Sequence, residues 1–366
     1  MRLNFNEMSD TIREKFENEV TYMDFSRLCI DTAKKSVKKY SLDEANEAIR
    51  NTIKEMAGLS DKPTAREVKR AFKRTSVREA VFEVIEDTLD DFLITGWSDS
   101  PVWRKYVESK IGAYGQTNSF YVKDNCILTV SEIADGHHSI ERQRLGAGKE
   151  FRVNVKTYGV KVYMEMARFL QGVEDWSALI AKIADAFTRQ INTQLYNALV
   201  GAGKNLPVPS VWNIEGKLEA ANHDKFVQLI TDVQLATGGV ATIVGTKAAI
   251  AGLKNLGDVA WVSDSAKEDV YRMGRLGTFE GTQILELPQA FNYNDVEKHL
   301  GNDNVLFVMP SNIDQFIKLF YEGTEETREL ANAGDNADDT KEYEFRCRYG
   351  IAAVTNVRFG TWTIAH

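Results

Sequence analysis

Cysteine is scarce in this sequence, and its few cysteines are scattered. Cys29, Cys126 and Cys347 are odd in number and far apart, and no CxxC pair occurs among the 366 residues. A disulfide framework and a cysteine-based zinc site both need closely patterned thiols. The number and spacing of the cysteines therefore exclude a disulfide framework and a cysteine-based zinc site, and they predict reduced thiols in a cytosolic setting.

Long apolar runs are absent as well. No run reaches the roughly 18 residues that a membrane span requires, and residues 1–20 lack the basic start and apolar stretch of a secretory signal. We therefore expect no membrane partner and a chain that acts in the cytoplasm, where it is made. The net charge of −8 argues against a general nucleic-acid binder but leaves room for local basic patches.

Motifs that carry chemistry are missing or incomplete. Two GAGK tetrapeptides, 146–149 and 201–204, lack the earlier glycine and the following Ser or Thr of the GxxxxGK[ST] phosphate loop. We interpret them as a loop and a helix end. His137, His138 and Glu141 make a poor metal site, because adjacent histidines point to opposite sides. We predict no catalytic residue, no metal and no cofactor; a soluble α/β enzyme is the alternative, and it would need a polar pocket.

Residues 1–110 are predicted to be helical, because apolar residues recur there at helical spacing between helix-start signals. The predicted elements are Thr11–Tyr40, a helix opened by Ser41 and Glu44 and closed by Gly58, a long helix opened by Thr64 and Glu67 that ends near Gly96, and a short helix that begins at Ser100-Pro101. This part accounts for nearly a third of a chain long enough for two or three packed units.

The pattern then changes to mixed helix and strand. Asn125–Ser131 and Phe151–Thr157 alternate apolar and polar residues, which predicts a long hairpin suited to reaching a neighbouring subunit. Further helices are predicted at Asp175–Val200 (stopped by Gly201 and Gly203), at Asp224–Thr237 (stopped by Gly238-Gly239) and after Thr246. Strands are predicted at Val240–Gly245, Gln283–Leu287, Val305–Met309, Gln315–Tyr321, Tyr343–Asn356 and Arg358–Ile364.

Two segments carry charge of one sign. Lys62–Arg78 contains seven basic residues, which indicate a solvated helix face or, alternatively, contact with DNA or an acidic partner. The residues that we assign to such contact are Arg66, Lys69, Arg70, Lys73 and Arg74. Glu322–Glu342 contains eight acidic residues and is predicted to be a mobile loop between two strands, able to meet a basic surface on a neighbour.

An ordered set of strings carries a family resemblance over about residues 110–366. The strings are KTYGVKVYMEMARFLQGVEDWSALIAKIADAFTRQINTQLYNALVGAG (156–203), GGVATIVGTKAAIAGLKN (238–255), GRLGTFEGTQILELP (274–288), NVLFVMPSNIDQFIKLFYEG (304–323) and YEFRCRYGIAAVTNVRFGTWTIA (343–365). In this order they resemble the major capsid proteins of tailed bacteriophages, which have the Hong Kong 97 fold.

The resemblance implies an α+β Hong Kong 97-like capsid fold. Its implied parts are a helical N-terminal arm (1–110), an E-loop region that contains the hairpin (111–158), a P domain with a long spine helix (159–212), an A domain (213–304) and closing P-domain strands (305–366). The E-loop charges are then expected to contact a neighbouring subunit and set its register. These residues are Glu132, Asp135, Glu141, Arg142, Arg144, Lys149 and Glu150.

The function that the resemblance implies is structural rather than enzymatic. Copies of the chain would form hexamers and pentamers of an icosahedral head around phage DNA, assembled in the host cytoplasm and placed in the virion capsid. Its implied partners are itself, portal, scaffold and decoration proteins, and packaged DNA. An encapsulin-like nanocompartment shell, which shares the fold, is the alternative.

Overall fold

A computed structural model describes most of the chain. The described residues are 19–38, 40–113, 115–122, 142, 148–164, 166–205, 210–257, 268, 271–272, 274–289, 291–292, 295–299, 301–311, 314–329, 341–354 and 359–365. They form both helices and strands, with more residues in helices, which confirms the predicted α+β class. No helix in these ranges is long and apolar enough to cross a membrane.

The elements are numbered in chain order. The helices are α1 (Glu19–Ala33), α2 (Leu42–Met56), α3 (Ala65–Ala71), α4 (Thr75–Thr95), α5 (Pro101–Tyr106), α6 (Met166–Leu170), α7 (Trp176–Asn205), α8 (His223–Thr237) and α9 (Lys247–Ala251). Short 3-10 turns cover Gly96–Asp99, Ser210–Trp212, Ala220–Asn222 and Gly252–Asn255. The strands are β1 (Val107–Ile111), β2 (Ser119–Val122), β3 (Lys149–Arg152), β4 (Lys156–Met164), β5 (Asn213–Gly216), β6 (Ala241–Gly245), β7 (Thr278–Phe279), β8 (Thr282–Glu286), β9 (Phe291–Asn292), β10 (Asp295–His299), β11 (Val305–Pro310), β12 (Ile317–Glu329), β13 (Lys341–Ala353) and β14 (Gly360–Ile364).

The chain divides into two compact units, each made of segments far apart in sequence. Unit 1 contains Met1–Trp97, Lys156–Ile191 and Tyr321–Tyr349. Unit 2 contains Ser98–Val155, Asn192–Phe320 and Gly350–His366. Folding each unit therefore requires contacts between distant parts of the sequence, which local patterns alone do not specify.

The predicted helix starts in unit 1 are confirmed. Ser41 accepts a hydrogen bond from the Glu44 amide at 3.2 Å, and the Glu44 carboxylate accepts one from the Ser41 amide at 2.8 Å. Thr64 and Glu67 form the same reciprocal capping box at the start of α3. At the end of α2, Gly58 adopts a φ of 64°, a left-handed conformation that glycine takes without strain.

The first predicted helix ends earlier than its sequence pattern suggests. α1 stops at Ala33 rather than Tyr40, because Lys35 takes a left-handed φ of 56°. The Lys35 amide then donates to the Thr32 carbonyl, and the Ser36 amide donates to the Asp31 carbonyl. These two bonds form a Schellman motif, which terminates a helix by satisfying its last carbonyls. Residues 11–18 of this predicted helix lie outside the described residues.

The predicted long helix after Thr64 is wrong as a single element. It is divided into α3 and α4 by a turn at 72–74, where the Phe72 amide donates to the Val68 carbonyl. In a continuous helix, Phe72 and Val77 would point about 140° apart. The turn allows both to be buried, each at 3% exposure.

In unit 1, β13 pairs with β4 as antiparallel strands over nine residue pairs, from Lys341 opposite Met164 to Tyr349 opposite Lys156. The four-stranded sheet to which they belong has the order β1-β12-β13-β4. The loop predicted over Glu322–Glu342 is therefore shorter than expected. β12 continues to Glu329 and β13 begins at Lys341, so both ends of the acidic segment belong to strands. Residues 330–340 lie outside the described residues.

Unit 2 is built on a six-stranded sheet with the order β5-β14-β11-β6-β8-β7. Helix α8 packs on it, and the predicted end of α8 is confirmed by Gly238, which has a φ of 63°. The core is apolar and aromatic: Phe226 of α8 meets Trp362 of β14 edge to face, with ring centroids 5.4 Å apart. The Trp362 indole donates to the Gly216 carbonyl at 3.0 Å, which satisfies its buried polar atom.

Helix α7, the predicted spine helix, is longer than expected. The sequence predicted a stop at Gly201 and Gly203, but the helix continues through both to Asn205. A glycine inside a helix costs about 1 kcal/mol relative to alanine and leaves the backbone hydrogen bonds intact. Leu199 and Ala202 are both buried, so packing of the apolar stripe continues beyond the first glycine.

Candidate assembly surfaces

The base of the predicted E-loop is a short two-stranded sheet in unit 2. β2 pairs with β3 antiparallel, with Phe120 opposite Phe151 and Val122 opposite Lys149. The sequence missed β2 as the first strand of this base. The strand that it predicted instead, Asn125–Ser131, lies outside the described residues.

The second predicted strand of the hairpin, Phe151–Thr157, is divided at Val153. β3 ends at Arg152 and β4 begins at Lys156, because Val153 turns into the core and is 1% exposed. The Val153 amide donates to the Asn118 carbonyl at 3.1 Å, and the Asn118 side chain donates to the Val153 carbonyl. These bonds satisfy the backbone of Val153 without a strand partner.

A small core fixes this base. Phe120 is fully buried and packs with Val153 and Phe320. The ammonium groups of Lys110 and Lys318 lie 4.6 Å and 5.7 Å from the centre of the Phe120 ring. Cations over an aromatic face are attracted to it. These contacts hold β2 and β3 together at the point where the chain leaves the base for residues 123–147.

A buried cation lies beside this core. The Lys318 side chain is 3% exposed and forms an ion pair with Glu108 of β1. Lys110 approaches the same carboxylate at 4.0 Å. Since a buried charge is tolerated only when it is paired, Glu108 is required for Lys318 to remain inside.

The structure describes three of the seven predicted E-loop contact residues. Arg142, Lys149 and Glu150 are all exposed, and the last two lie side by side on β3. Glu132, Asp135, Glu141 and Arg144 lie outside the described residues, as do His137 and His138. The contacts predicted for these residues stay a prediction.

The N-terminal helices are packed within unit 1, on the first turn of the spine helix. Asn46 of α2 accepts a hydrogen bond from the Ser177 amide and donates one to the Ser177 hydroxyl, both at 3.2 Å. Arg50 donates to the Phe169 carbonyl at 3.0 Å and forms an ion pair with Asp175 at 3.1 Å. α2 thus supplies the N-terminal cap of α7 from 131 residues away. Nothing local in the sequence indicated this contact.

Two tyrosine–aspartate pairs fasten α4 in the same unit. The Tyr22 hydroxyl donates to Asp87 at 2.5 Å, and the Tyr321 hydroxyl donates to Asp90 at 3.2 Å. Burial raises the pKa of Asp87 to about 6, the hydrogen bond from Tyr22 opposes that rise, and neighbouring glutamates add to it. These pairs, three residues apart on one helix, join it to α1 and β12.

The predicted basic segment forms an exposed surface around α3. We call it the basic surface, and define it as Lys62, Arg66, Arg70, Lys73 and Arg74. All five side chains are exposed, and none forms an ion pair with a carboxylate within the described ranges. Glu67, the acid among them, accepts a hydrogen bond from the Thr64 amide at the start of α3, and its own amide donates to the Thr64 hydroxyl. The side chain of Lys69, the remaining predicted contact residue, lies outside the described part of the chain.

The thiols agree with the predicted reduced state where they are described. Cys29 and Cys347 are both buried, and neither forms a disulfide with a described cysteine. Burial raises the pKa of the Cys29 thiol well above its ordinary value, which keeps the thiol protonated and unreactive. Cys126 lies outside the described residues. No cluster of metal-binding side chains occurs in the part of the chain that the structure describes.

Comparison with known proteins supports an assembly role. A family described as "SPbeta prophage-derived putative capsid protein YonB" matches residues 24–363 of this chain. No curated protein matches the chain significantly.

Among solved structures, the mature capsid of bacteriophage PhiM1 is similar with a TM-score of 0.50 and 14% identity, over 72% of this chain and 87% of that chain. The capsid of Ralstonia phage GP4 has a TM-score of 0.46 and 11% identity, over 73% and 91% of the two chains. A structure from Microbacterium phage Oxtober96 has a TM-score of 0.45 and 12% identity, over 73% of this chain and 91% of that chain.

The family match covers nearly the whole chain and includes the N-terminal helices, to which the sequence resemblance did not extend. The similarity to the PhiM1 capsid confirms the predicted fold. The phage capsid interpretation is therefore confirmed, and the nanocompartment alternative is the weaker one. The chain belongs to this family of prophage-derived capsid proteins and is a major capsid protein with the Hong Kong 97-like fold, a structural component of the virion shell.

Proposed function

We propose that copies of this chain assemble into hexamers and pentamers, which close into an icosahedral head around phage DNA. The observation that carries the proposal is the family match over residues 24–363. The division of the chain into N-terminal helices, E-loop region, P domain, A domain and closing strands is kept as part of the proposal. Portal, scaffold and decoration proteins are its proposed partners, assembly takes place in the host cytoplasm, and the chain performs no catalysis.

The E-loop is proposed to contact a neighbouring subunit. Its two described ends, β2 and β3, pair with each other and pack on the core around Phe120, which supports the proposal. Its charged residues are expected to select the partner and the register of docking more than to supply affinity. Those residues are Glu132, Asp135, Glu141, Arg142, Arg144, Lys149 and Glu150.

The same proposal assigns the basic segment to contact with packaged DNA or with an acidic partner. The residues concerned are Arg66, Lys69, Arg70, Lys73 and Arg74. Four of them belong to the exposed basic surface, and exposed cations that have no carboxylate partner among the described residues suit either kind of polyanion.

Expression of the chain alone, followed by electron microscopy and light scattering, tests the assembly. Shells, tubes or rings of five and six subunits are expected. The variant Arg142→Glu/Lys149→Glu should fold but assemble poorly, because it reverses two exposed E-loop charges. The matched control is Lys225→Glu/Lys254→Glu, which makes the same charge change at two exposed lysines of unit 2.

A monomer that stays dispersed at high concentration, even with its neighbouring phage proteins co-expressed, would contradict the proposal. Equal assembly by the E-loop variant and the control would refute the role of the E-loop charges, while the proposal that the chain assembles into a shell would still hold. Circular dichroism and thermal melting establish that each variant is folded before its assembly is compared.

A further inference from the structure

The basic surface carries positive charge that no carboxylate neutralises within the described part of unit 1. Residues 62–74 contain six basic side chains and one acidic side chain, Glu67, for a net charge of +5. The Glu67 carboxylate is engaged in the capping box of α3, and that hydrogen bonding lowers its pKa and keeps it ionised. Because exposed like charges repel one another, this surface favours an acidic partner.

The chain itself carries a segment of opposite and equal charge. Residues 325–339 contain six acidic residues and one basic residue, Arg328, for a net charge of −5. Its first five residues are the end of β12, and β13 begins two residues after it, at Lys341. Beside it, Glu322 pairs with Arg348 at 3.1 Å and Glu344 with Arg346 at 2.8 Å.

We propose that the basic surface of one copy binds residues 325–339 of a second copy in the assembled shell. The inference rests on the proposed self-assembly and names the partner of the basic surface. A surface and a complementary segment on every copy form a heterologous contact, which repeats around closed rings of subunits. Each exposed ion pair contributes little by itself, but the contact recurs at every subunit, and later contacts form within an assembly already held together.

Charge removal on each side tests the pairing. Arg66→Glu/Arg70→Glu lowers the net charge of residues 62–74 from +5 to +1, and Glu325→Lys/Glu326→Lys changes that of residues 325–339 from −5 to −1. Each change should raise the protein concentration needed for assembly about tenfold, because it weakens a modest attraction. Combining all four substitutions in one chain leaves net charges of +1 and −1, so that chain should need a higher concentration still. The control Lys225→Glu/Lys254→Glu should assemble as the original chain does.

Mixing the two variant proteins separates contact between copies from contact within one copy. Each protein pairs weakly with itself, but the unchanged basic surface of Glu325→Lys/Glu326→Lys complements the unchanged acidic segment of Arg66→Glu/Arg70→Glu. The mixture should therefore form shells at a concentration where each protein alone does not. If the mixture assembles no better than either protein alone, the pairing does not join two copies and the proposal is overturned.

A peptide with the sequence of residues 322–342 provides a measurement that needs no shell. Labelled peptide should bind the dissociated subunit, bind about tenfold more weakly to Arg66→Glu/Arg70→Glu, and lose most of its affinity at 0.5 M salt through screening. Equal binding to both proteins would overturn the proposal even if shells form normally. If shells form normally from nuclease-treated Glu325→Lys/Glu326→Lys while Arg66→Glu/Arg70→Glu loses only packaged DNA, the partner is DNA and the proposal is wrong.

Discussion

The contact between α2 and the first turn of α7 can be tested by Asn46→Ala. Asn46 is 2% exposed and makes two hydrogen bonds to Ser177, which is itself 4% exposed. Alanine removes both bonds and leaves the buried Ser177 amide without its side-chain partner. A buried polar group left unpaired costs about 1–3 kcal/mol, and loss of a helix cap about 1 kcal/mol. We expect the free energy of opening this turn to fall by about 2 kcal/mol, which combines these two overlapping effects.

Hydrogen exchange measured by mass spectrometry on peptides covering residues 174–182 is the suitable assay, because it reports local opening in a chain of two units. A loss of about 2 kcal/mol corresponds to about 30-fold lower protection. Ser177→Ala is the control, since it keeps the amide bond to Asn46 and loses only the hydroxyl bond, so protection should fall less. Equal protection in Asn46→Ala and the original chain would refute the argument that α2 caps the spine helix.

Two further substitutions probe pH dependence and close packing. Burial raises the pKa of Asp87 to about 6, above its unfolded value of about 3.9, so protonated Asp87 stabilises the fold below pH 4 and this stability is lost as the pH rises through 6. Melting temperatures between pH 4 and 7 should therefore fall less for Asp87→Asn than for the original chain, and parallel curves would contradict the assignment. Gly350→Ala should destabilise unit 2 by about 3 kcal/mol or more, because its Cβ would lie 2.4 Å from the Asn154 carbonyl oxygen. Gly257→Ala, where a Cβ meets nothing within 4 Å, is the matched control in thermal melting, and equal losses would show that the close approach to Asn154 is not the cause.

Features that depend on neighbouring residues were predicted well. The capping boxes at Ser41 and Thr64 and the glycine stop at Gly238 each involve residues within a few positions of one another, so their sequence spacing defines their geometry. The long stripe of α7 was also found, because apolar residues at helical spacing predict a helix wherever it packs. The order of these elements was enough to identify the capsid fold.

Errors arose where burial by distant residues decided the outcome. The turn between α3 and α4 lets both Phe72 and Val77 enter the core, and α7 continues past Gly201 because Ala202 is buried. The local pattern favoured one helix in the first case and a stop in the second. Tertiary packing outweighs such preferences because they amount to about 1 kcal/mol or less per residue.

The sequence by itself determined the helix boundaries set by local caps, the α+β class, the capsid family and the two oppositely charged segments. Only the tertiary structure decided that α2 caps α7 through Asn46, that Phe120 packs at the base of the predicted E-loop, and that the basic surface has no described carboxylate partner. The physical reason is distance along the chain. Local caps and periodicity act over a few residues, whereas these contacts join residues from 33 to 200 positions apart, and only the folded chain brings them together.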